Sequence, residues 1–249
     1  LQLRDTLAAA GVPRRAPPGA TTWRARGIIV GTMEDLLKRL SRFEKRFFPR
    51  YRDEYRRLVA EGQRPRTLFI GCSDSRIVPY VLTGTGPGDL FVVRNVGNLV
   101  PPYDATPGDH STAAAVEFAV DKLEVHDIVI CGHSHCGAMR ALYDDPSETM
   151  PNLNRWLDFA RDAALPVTAT EEALRRTEQR SIVLQLERLL GYPMVARGVP
   201  LPVWFHAMAG SDGDFGAMVA VMSASDSAGA SAAAGGGAGA SGGGSSGAG

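Results

Sequence analysis

With 249 residues, the chain is long enough for one large domain with a substantial core or for two small ones. Lys plus Arg and Asp plus Glu each number 27, so the formal net charge is zero. That argues against a nucleic-acid protein and gives no attraction to anionic membranes. No apolar run reaches the roughly 18 residues that a membrane span needs, so no membrane partner is expected.

Three cysteines are too few for a disulfide scaffold, and this odd, sparse count fits a reducing, cytoplasmic setting. The Arg-rich N-terminus lacks an apolar segment followed by a small-residue cleavage site, so no secretory signal is expected. Residues 1–32 are poorly patterned, and the prolines at 13, 17 and 18 break any regular element. Two readings stand side by side: Met33 is the natural start and 1–32 an upstream extension, or 1–32 is an arm that wraps a neighbouring subunit.

Residues 33–60 read as one or two helices, with Leu36, Leu40, Phe43 and Phe47 on one face and Pro49 interrupting the pattern. The Arg-rich stretch 50–57 reads as a solvated helix face. The apolar run Thr67-Leu68-Phe69-Ile70-Gly71 predicts a buried strand that delivers Cys72-Ser73-Asp74-Ser75-Arg76. Leu90–Arg94 predicts a second strand, leaving through the turn-prone Asn95-Val96-Gly97-Asn98. Residues 111–123 predict a helix capped by Ser111 or Thr112, apolar round most of its circumference and so buried in the core or an interface. Asp127–Gly132 predicts a third buried strand, delivering His133-Ser134-His135-Cys136-Gly137, and 135–143 continues as helix. Helices follow at 152–164 and 171–191. The second is capped by Thr170, carries the stripe Ile182, Leu186, Leu189 and Leu190, and stops at Gly191-Tyr192-Pro193. Strands near 201–206 and 216–222 flank a turn at 210–214. Residues 223–249, almost all Ser, Ala and Gly, read as a disordered tail. Strands alternating with helices predict an α/β fold, a mostly parallel central β-sheet flanked by helices.

Each motif places soft metal ligands just past the carboxyl end of a strand, where ligands bind in open α/β sheets. Cys72, His133 and Cys136 supply thiolate and imidazole for one zinc ion per chain and leave a fourth position open. Two thiolates cancel the charge of the ion, and Arg76 is placed to supply the positive charge that an added hydroxide would need. Asp74 has two states: paired with Arg76 and accepting a hydrogen bond from zinc-bound water, or swung onto the metal as a conditional fourth ligand. In the plain alternative, Asp74 closes a purely structural zinc site. Cys131 reads as a small core residue. His135 points away from the metal, and His110, His126 and His206 read as structural or solvated. Arg94 and Asn95 position loops, while Gly97 and Gly137 serve close backbone packing near the pocket.

Cys-Ser-Asp-Ser-Arg at 72–76 with His-Ser-x-Cys-Gly at 133–137 resembles the β-class carbonic anhydrases. The likeness extends through Gly88–Asn95, Ala119–Gly132, Val183–Leu186 and Tyr192-Pro193, so it covers roughly residues 33–222, the expected catalytic domain. It implies a β-carbonic-anhydrase-like fold and a zinc lyase that hydrates carbon dioxide to bicarbonate and a proton by zinc-bound hydroxide. It also implies a homodimer or higher even oligomer with active sites near the subunit interface. Cys72, His133 and Cys136 match the ligands, and Asp74 and Arg76 the catalytic dyad. The chain departs from one bicarbonate-inhibited subclass: Phe69-Ile70-Gly71 stands where that subclass has Trp-x-Gly, and no Tyr occurs at 207–211. The rivals are a carbon disulfide or carbonyl sulfide hydrolase on the same scaffold and a non-catalytic zinc-binding protein. A thiol redox protein is disfavoured by the lack of Cys-x-x-Cys.

Overall fold

The computed structural model describes residues 33–103, 110–198, 203–209 and 216–223. The arm at 1–32, the turn at 210–214, the tail beyond Ser223 and the side chain of His206 lie outside the described residues. The chain divides into two compact units, Leu1–Arg52 and Asp53–Gly249. In the first, helix α1 (Met33–Arg42) runs into a π-helical turn at Phe43–Phe47, and helix α2 (Phe48–Glu61) begins directly after it. Glu34 and Asp35 at the start of α1 and Arg39 and Arg42 at its end match the helix dipole. Pro49 does not interrupt the helix as expected. It sits in the first turn of α2, and the wider π turn before it accommodates the missing N–H and the ring. Leu36, Leu40, Phe43 and Phe47 form the expected face, and all four are exposed.

The second unit is built on strands β1 (Thr67–Cys72), β2 (Leu90–Asn95), β3 (Asp127–His133), β4 (Val203–Ala209) and β5 (Gly216–Ser223). They form one sheet in the order β2-β1-β3-β5-β4. β1 pairs in parallel with β2 and β3, while β3–β5 and β4–β5 are antiparallel. The parallel layer is thus extended by a hairpin, and Ser223, assigned to the tail from sequence, is the last residue of β5. The order 2-1-3 makes the β1/β3 boundary a switch point, because the chain leaves β1 for one side and returns to the other. At such a point the loops diverge and open a crevice beyond the carboxyl ends of the strands.

Alternation along the strands splits the core between the two faces. Leu68, Ile70, Ile128 and Ile130 pack on one face with Val116, Ile182, Leu186 and Leu189. Phe69 and Cys131 pack on the other with Ile77, Leu99, Met139, Leu142 and Leu157. Both faces are covered, which is why these strands read as continuous apolar runs. Helix α3 (Pro79–Thr83) lies between β1 and β2 in the chain, and α4 (Ser111–Glu117), continuing as a π turn to Lys122, lies between β2 and β3. The cap expected from Ser111 or Thr112 does not form. His110 holds the cap position without a side-chain capping bond, and the Thr112 hydroxyl accepts from Asn95 Nδ2 at 3.1 Å. α4 buries Val116 and its π turn buries Ala119, whereas Phe118 is exposed, so only one face of the apolar helix is covered.

Helix α5 (Gly137–Arg140) follows β3 and passes into a 3-10 turn, Ala141–Tyr143. Helix α6 (Pro151–Leu157) extends as 3-10 to Ala163. The 20-residue α7 (Glu171–Leu190) is capped by Thr170, whose hydroxyl accepts from Ala173 N at 3.2 Å, as the sequence predicts. Helix α8 (Pro193–Gly198) follows at once. No helix among the described residues is long and apolar enough to cross a membrane.

Candidate metal centre

β1 ends at Cys72, and its neighbour β3 ends at His133, with Gly71 opposite Cys131 in the register. The two motifs therefore emerge side by side. Cys72, His133 and Cys136 are all buried, and their ligand atoms lie within 4.8 Å of one another. His133 is oriented by its own backbone: Nδ1 lies 2.9 Å from the Ser134 carbonyl. Donation there fixes the tautomer that presents the Nε2 lone pair to the cluster, an arrangement typical of metal-binding imidazoles. Ser134 is itself tied to β5 through its N–H to Gly216 O and its Oγ, which accepts from Gly216 N, each at 2.8 Å. Ser134 therefore carries the stiffness of the hairpin to His133.

The electrostatics favour the thiolate at Cys72. The hydrogen bond from the Cys136 thiol lowers the Cys72 pKa first; His133 and the backbone N–H groups of Asp74 and Gly97 add to it, against burial. The Asp74 amide lies 3.4 Å from Cys72 Sγ. Cys136 is held up by the shared proton and the charge of Cys72, while the N–H groups of Ala138 and Met139 at the start of α5 pull it down. Burial works against a charged His133, yet the bond to Cys72 and the Ser134 carbonyl outweigh it and raise its pKa. Two soft sulfur donors and an oriented imidazole, buried and mutually repulsive once ionised, are a donor set that fits a borderline-soft divalent metal.

Asp74 and Arg76 stand at the edge of this cluster. Arg76 donates from Nε and from its own N–H to Asp74 Oδ1, both at 2.9 Å, and from Nη2 to Oδ2 at 2.8 Å. These bonds hold the Asp74 carboxyl well below the usual carboxylate range. Asp74 Oδ2 also lies 3.8 Å from His133 Nε2, so the ionised carboxylate sits beside the prospective ligands. Arg76 Nη2 donates to the His135 carbonyl at 2.9 Å as well, joining the two motifs across the strand gap. His135 adopts a left-handed φ of 55°, and its side chain is exposed. It is not among the three residues whose ligand atoms converge.

Arg94 and Asn95 hold loops, as their positions suggest. From β2, Arg94 donates to the carbonyls of Cys72 at 3.1 Å and Asp74 at 2.7 Å. Asn95 pins Leu99 through both its amide and its carbonyl. Gly97 sits where a Cβ would lie 3.0 Å from Ala138 Cβ, so its packing reading is right. Gly137 has open space where its Cβ would be, so its packing reading is not supported. Cys131 is fully buried, and burial followed by the charge of Cys72 pushes its pKa up to about 12, which keeps it a neutral core thiol.

One neighbour escaped the sequence reading. Glu178 on α7 is 4% exposed, and its Oε1 accepts the Cys136 N–H at 3.0 Å. Burial pushes its carboxyl up, and that N–H works against the shift. Its signal in the sequence is spacing alone: Glu178, Ile182, Gln185 and Leu189 recur at helical intervals on the buried side of α7.

With this geometry in place, likeness to known proteins becomes informative. The carbonic anhydrase family model matches residues 67–201. The carbonic anhydrase of Synechococcus elongatus is 39% identical over 171 residues, covering 66% of this chain and 62% of that protein. The chain thus spans less than two thirds of that relative's length. The Pseudomonas aeruginosa carbonic anhydrase is 40% identical over 173 residues, covering 67% of this chain and 77% of that protein. Among solved structures, the β-carbonic anhydrase CcaA superposes with a TM-score of 0.62 at 38% identity, covering 66% of this chain and 76% of that one. One from Sordaria macrospora superposes with a TM-score of 0.58 at 30% identity, covering 67% and 84%. Family model, relatives and fold agree, and the chain belongs to the β-carbonic anhydrase family.

Proposed function

We propose that this chain is a zinc-dependent carbonic anhydrase, interconverting carbon dioxide and water with bicarbonate and a proton. The observation that carries the reading is the convergence of Cys72, His133 and Cys136 within 4.8 Å, with the Asp74–Arg76 pair beside them. Those three side chains would hold one zinc ion, which as a Lewis acid lowers the pKa of water and makes a nucleophile available near neutral pH. The chain's own groups do the rest. The two thiolates would neutralise the ion, in a site whose three donor residues are buried. Asp74, ionised and acceptor-only, takes a hydrogen bond from the reacting water and sets its orientation. Arg76 holds Asp74 on that task through both carboxylate oxygens and restrains it from turning onto the metal. Arg94, by fixing the carbonyls on either side of Ser73, keeps Cys72 and Asp74 in register.

The same reading includes a homodimer or higher even oligomer and a cytoplasmic location. The Sordaria macrospora structure that superposes on this chain belongs to a pair of tetrameric β-carbonic anhydrases. The three cysteines are all free thiols, which suits a reducing compartment.

The test is stopped-flow carbon dioxide hydration by wild type and Asp74→Ala, with zinc measured on both. Wild type is expected to carry one zinc per chain and to hydrate carbon dioxide. Asp74→Ala is expected to keep its zinc and lose about 10–100-fold in rate, as when a group that orients a metal site is removed. Zinc-loaded wild type with no hydration above background from about pH 7 to 9 would refute the carbonic anhydrase reading and leave the two rivals, a carbon disulfide or carbonyl sulfide hydrolase and a non-catalytic zinc-binding protein. Full activity in Asp74→Ala would remove Asp74 from the mechanism.

A further inference from the structure

The short helix that carries Cys136 cannot fix that residue by itself. α5 has four residues, and Cys136 is its cap without a capping side chain of its own. Its restraint comes from elsewhere. Two consecutive residues of α7, Thr177 and Glu178, are both buried and hold the two ends of the segment 136–143. At one end Glu178 Oε1 accepts the Cys136 N–H at 3.0 Å. At the other, the Thr177 and Tyr143 hydroxyls lie 2.6 Å apart, and Tyr143 Oη accepts from Leu165 N at 3.1 Å. α7 is a suitable anchor: it spans 20 residues and buries Ile182, Leu186 and Leu189 in the core beneath the sheet.

We propose that Glu178 is a positioning residue for the metal centre, capping α5 from a neighbouring helix and setting the direction in which Cys136 presents its sulfur. The inference rests on the zinc reading of Cys72, His133 and Cys136. The link is short: the N–H that Glu178 holds belongs to Cys136 itself, so a fixed amide fixes the Cα–Cβ direction that aims Sγ. What matters is an acceptor oxygen at that place, and a glutamine carbonyl supplies one as a carboxylate does. Methionine has similar length and no comparable acceptor. A small cavity lined by His135, Cys136, Arg140, Arg175 and Glu178 adjoins the site. Methionine keeps the Glu178 space filled, whereas alanine would open it to water that could replace the lost acceptor.

The experiment uses the full-length zinc-loaded protein and follows release of zinc to excess chromophoric chelator, for wild type, Glu178→Gln and Glu178→Met. Circular dichroism and thermal midpoints establish that each variant is folded. Glu178→Met is expected to release zinc about 10–100-fold faster than wild type, and Glu178→Gln to stay within about threefold. In the cobalt-substituted proteins, the thiolate-to-cobalt charge-transfer band is expected to change in Glu178→Met and not in Glu178→Gln. Wild-type release rates and spectrum in a folded Glu178→Met overturn the proposal. So does a Glu178→Gln variant as impaired as Glu178→Met, because charge and not the acceptor would then be responsible. If Glu178→Met does not fold, Glu178→Gln alone decides by the same limit. A wild-type protein that binds no zinc refutes the zinc reading instead, and the two failures are told apart by zinc content before chelation.

Discussion

Gly97 lies where both halves of the candidate metal site meet, and Gly97→Ala is the sharpest structural test of that arrangement. Its φ is +81°, a left-handed conformation that costs a residue with a Cβ about 1–2 kcal/mol. The added methyl would also sit 3.0 Å from Ala138 Cβ and 3.3 Å from both Leu99 Cγ and Met139 Cε. Ala138 and Met139 belong to α5, directly after Cys136, and the Gly97 N–H itself favours the Cys72 thiolate. Crowding of this kind in a packed interior costs about 1–3 kcal/mol. The lower entropy of an alanine in the unfolded chain returns about 0.4–1 kcal/mol. Gly84→Ala is the matched control: its φ is +66°, and nothing lies within 4 Å of the position a Cβ would take. Strain and unfolded-state entropy are common to both variants, so their difference isolates the crowding. Chemical denaturation of the zinc-loaded proteins should show Gly97→Ala less stable than Gly84→Ala by about 1–3 kcal/mol. For a domain of this size that is a thermal midpoint lower by about 2–12 °C. Zinc content should fall in Gly97→Ala and not in Gly84→Ala. Equal losses of stability in the two variants would refute the claim that Gly97 is packed against the Cys136 helix.

Two pH dependences complete the set. Burial, then the charge of Glu117, raises the Tyr192 phenol from 10.0 to about 12. The unfolded chain therefore loses this proton first; the contribution is complete below pH 10 and is lost as pH rises toward 12. A shift of two units is worth about 3 kcal/mol. Urea unfolding across that range should show a steeper decline for wild type than for Tyr192→Phe, although the variant starts lower for want of the 2.8 Å bond to Pro101 O. Parallel declines would reject the burial argument. In the proposed reaction, two thiolates leave the ion less positive than imidazoles would, so water is acidified less and hydration should rise between about pH 6.5 and 9. A flat rate profile over that interval would reject it.

The strands and both motifs were legible because their signals are local. An apolar run bounded by polar residues specifies a buried strand, and the soft donors at 72, 133 and 136 follow such runs directly. Thr170 was legible as a cap because a threonine before Glu171 and Glu172 has one obvious task. Most of what failed depended on partners elsewhere in the chain, with Pro49 a local exception. Thr112 looked like a cap, but Asn95 on β2 claims its hydroxyl. Pro49 looked like a break, but a preceding π turn absorbs it. The apolar stripe of α7 was legible at Ile182, Leu186 and Leu189, but Leu190 is exposed, and Thr177, Glu178, Ser181 and Gln185, which the stripe did not include, are all buried. Composition expels such residues from a core; specific partners bring back Thr177, Glu178 and Gln185. Gln185 is instructive, since its Oε1 accepts the Val100 N–H at 2.8 Å, on the stretch between Gly97 and α4.

Strand order matters most to the chemistry, and no local pattern states it. Cys72 and His133 lie 61 positions apart in the chain and come together because β1 and β3 are neighbours. Had β2 entered the sheet between them, their strand ends would stand about 9–10 Å apart, two inter-strand spacings and not one. Three ligand atoms within 4.8 Å would then require a long loop to fold back. With β2 on the outer side of β1, one spacing suffices, and Arg94 on β2 becomes free to reach the Cys72 and Asp74 carbonyls from beyond. The same order leaves the far side of β3 to β5, where Gly216 braces Ser134 behind His133. Each ligand-bearing strand thus gains a supporting neighbour on its outer side, so the crevice between β1 and β3 is the place where a metal can be held by short, stiff connections.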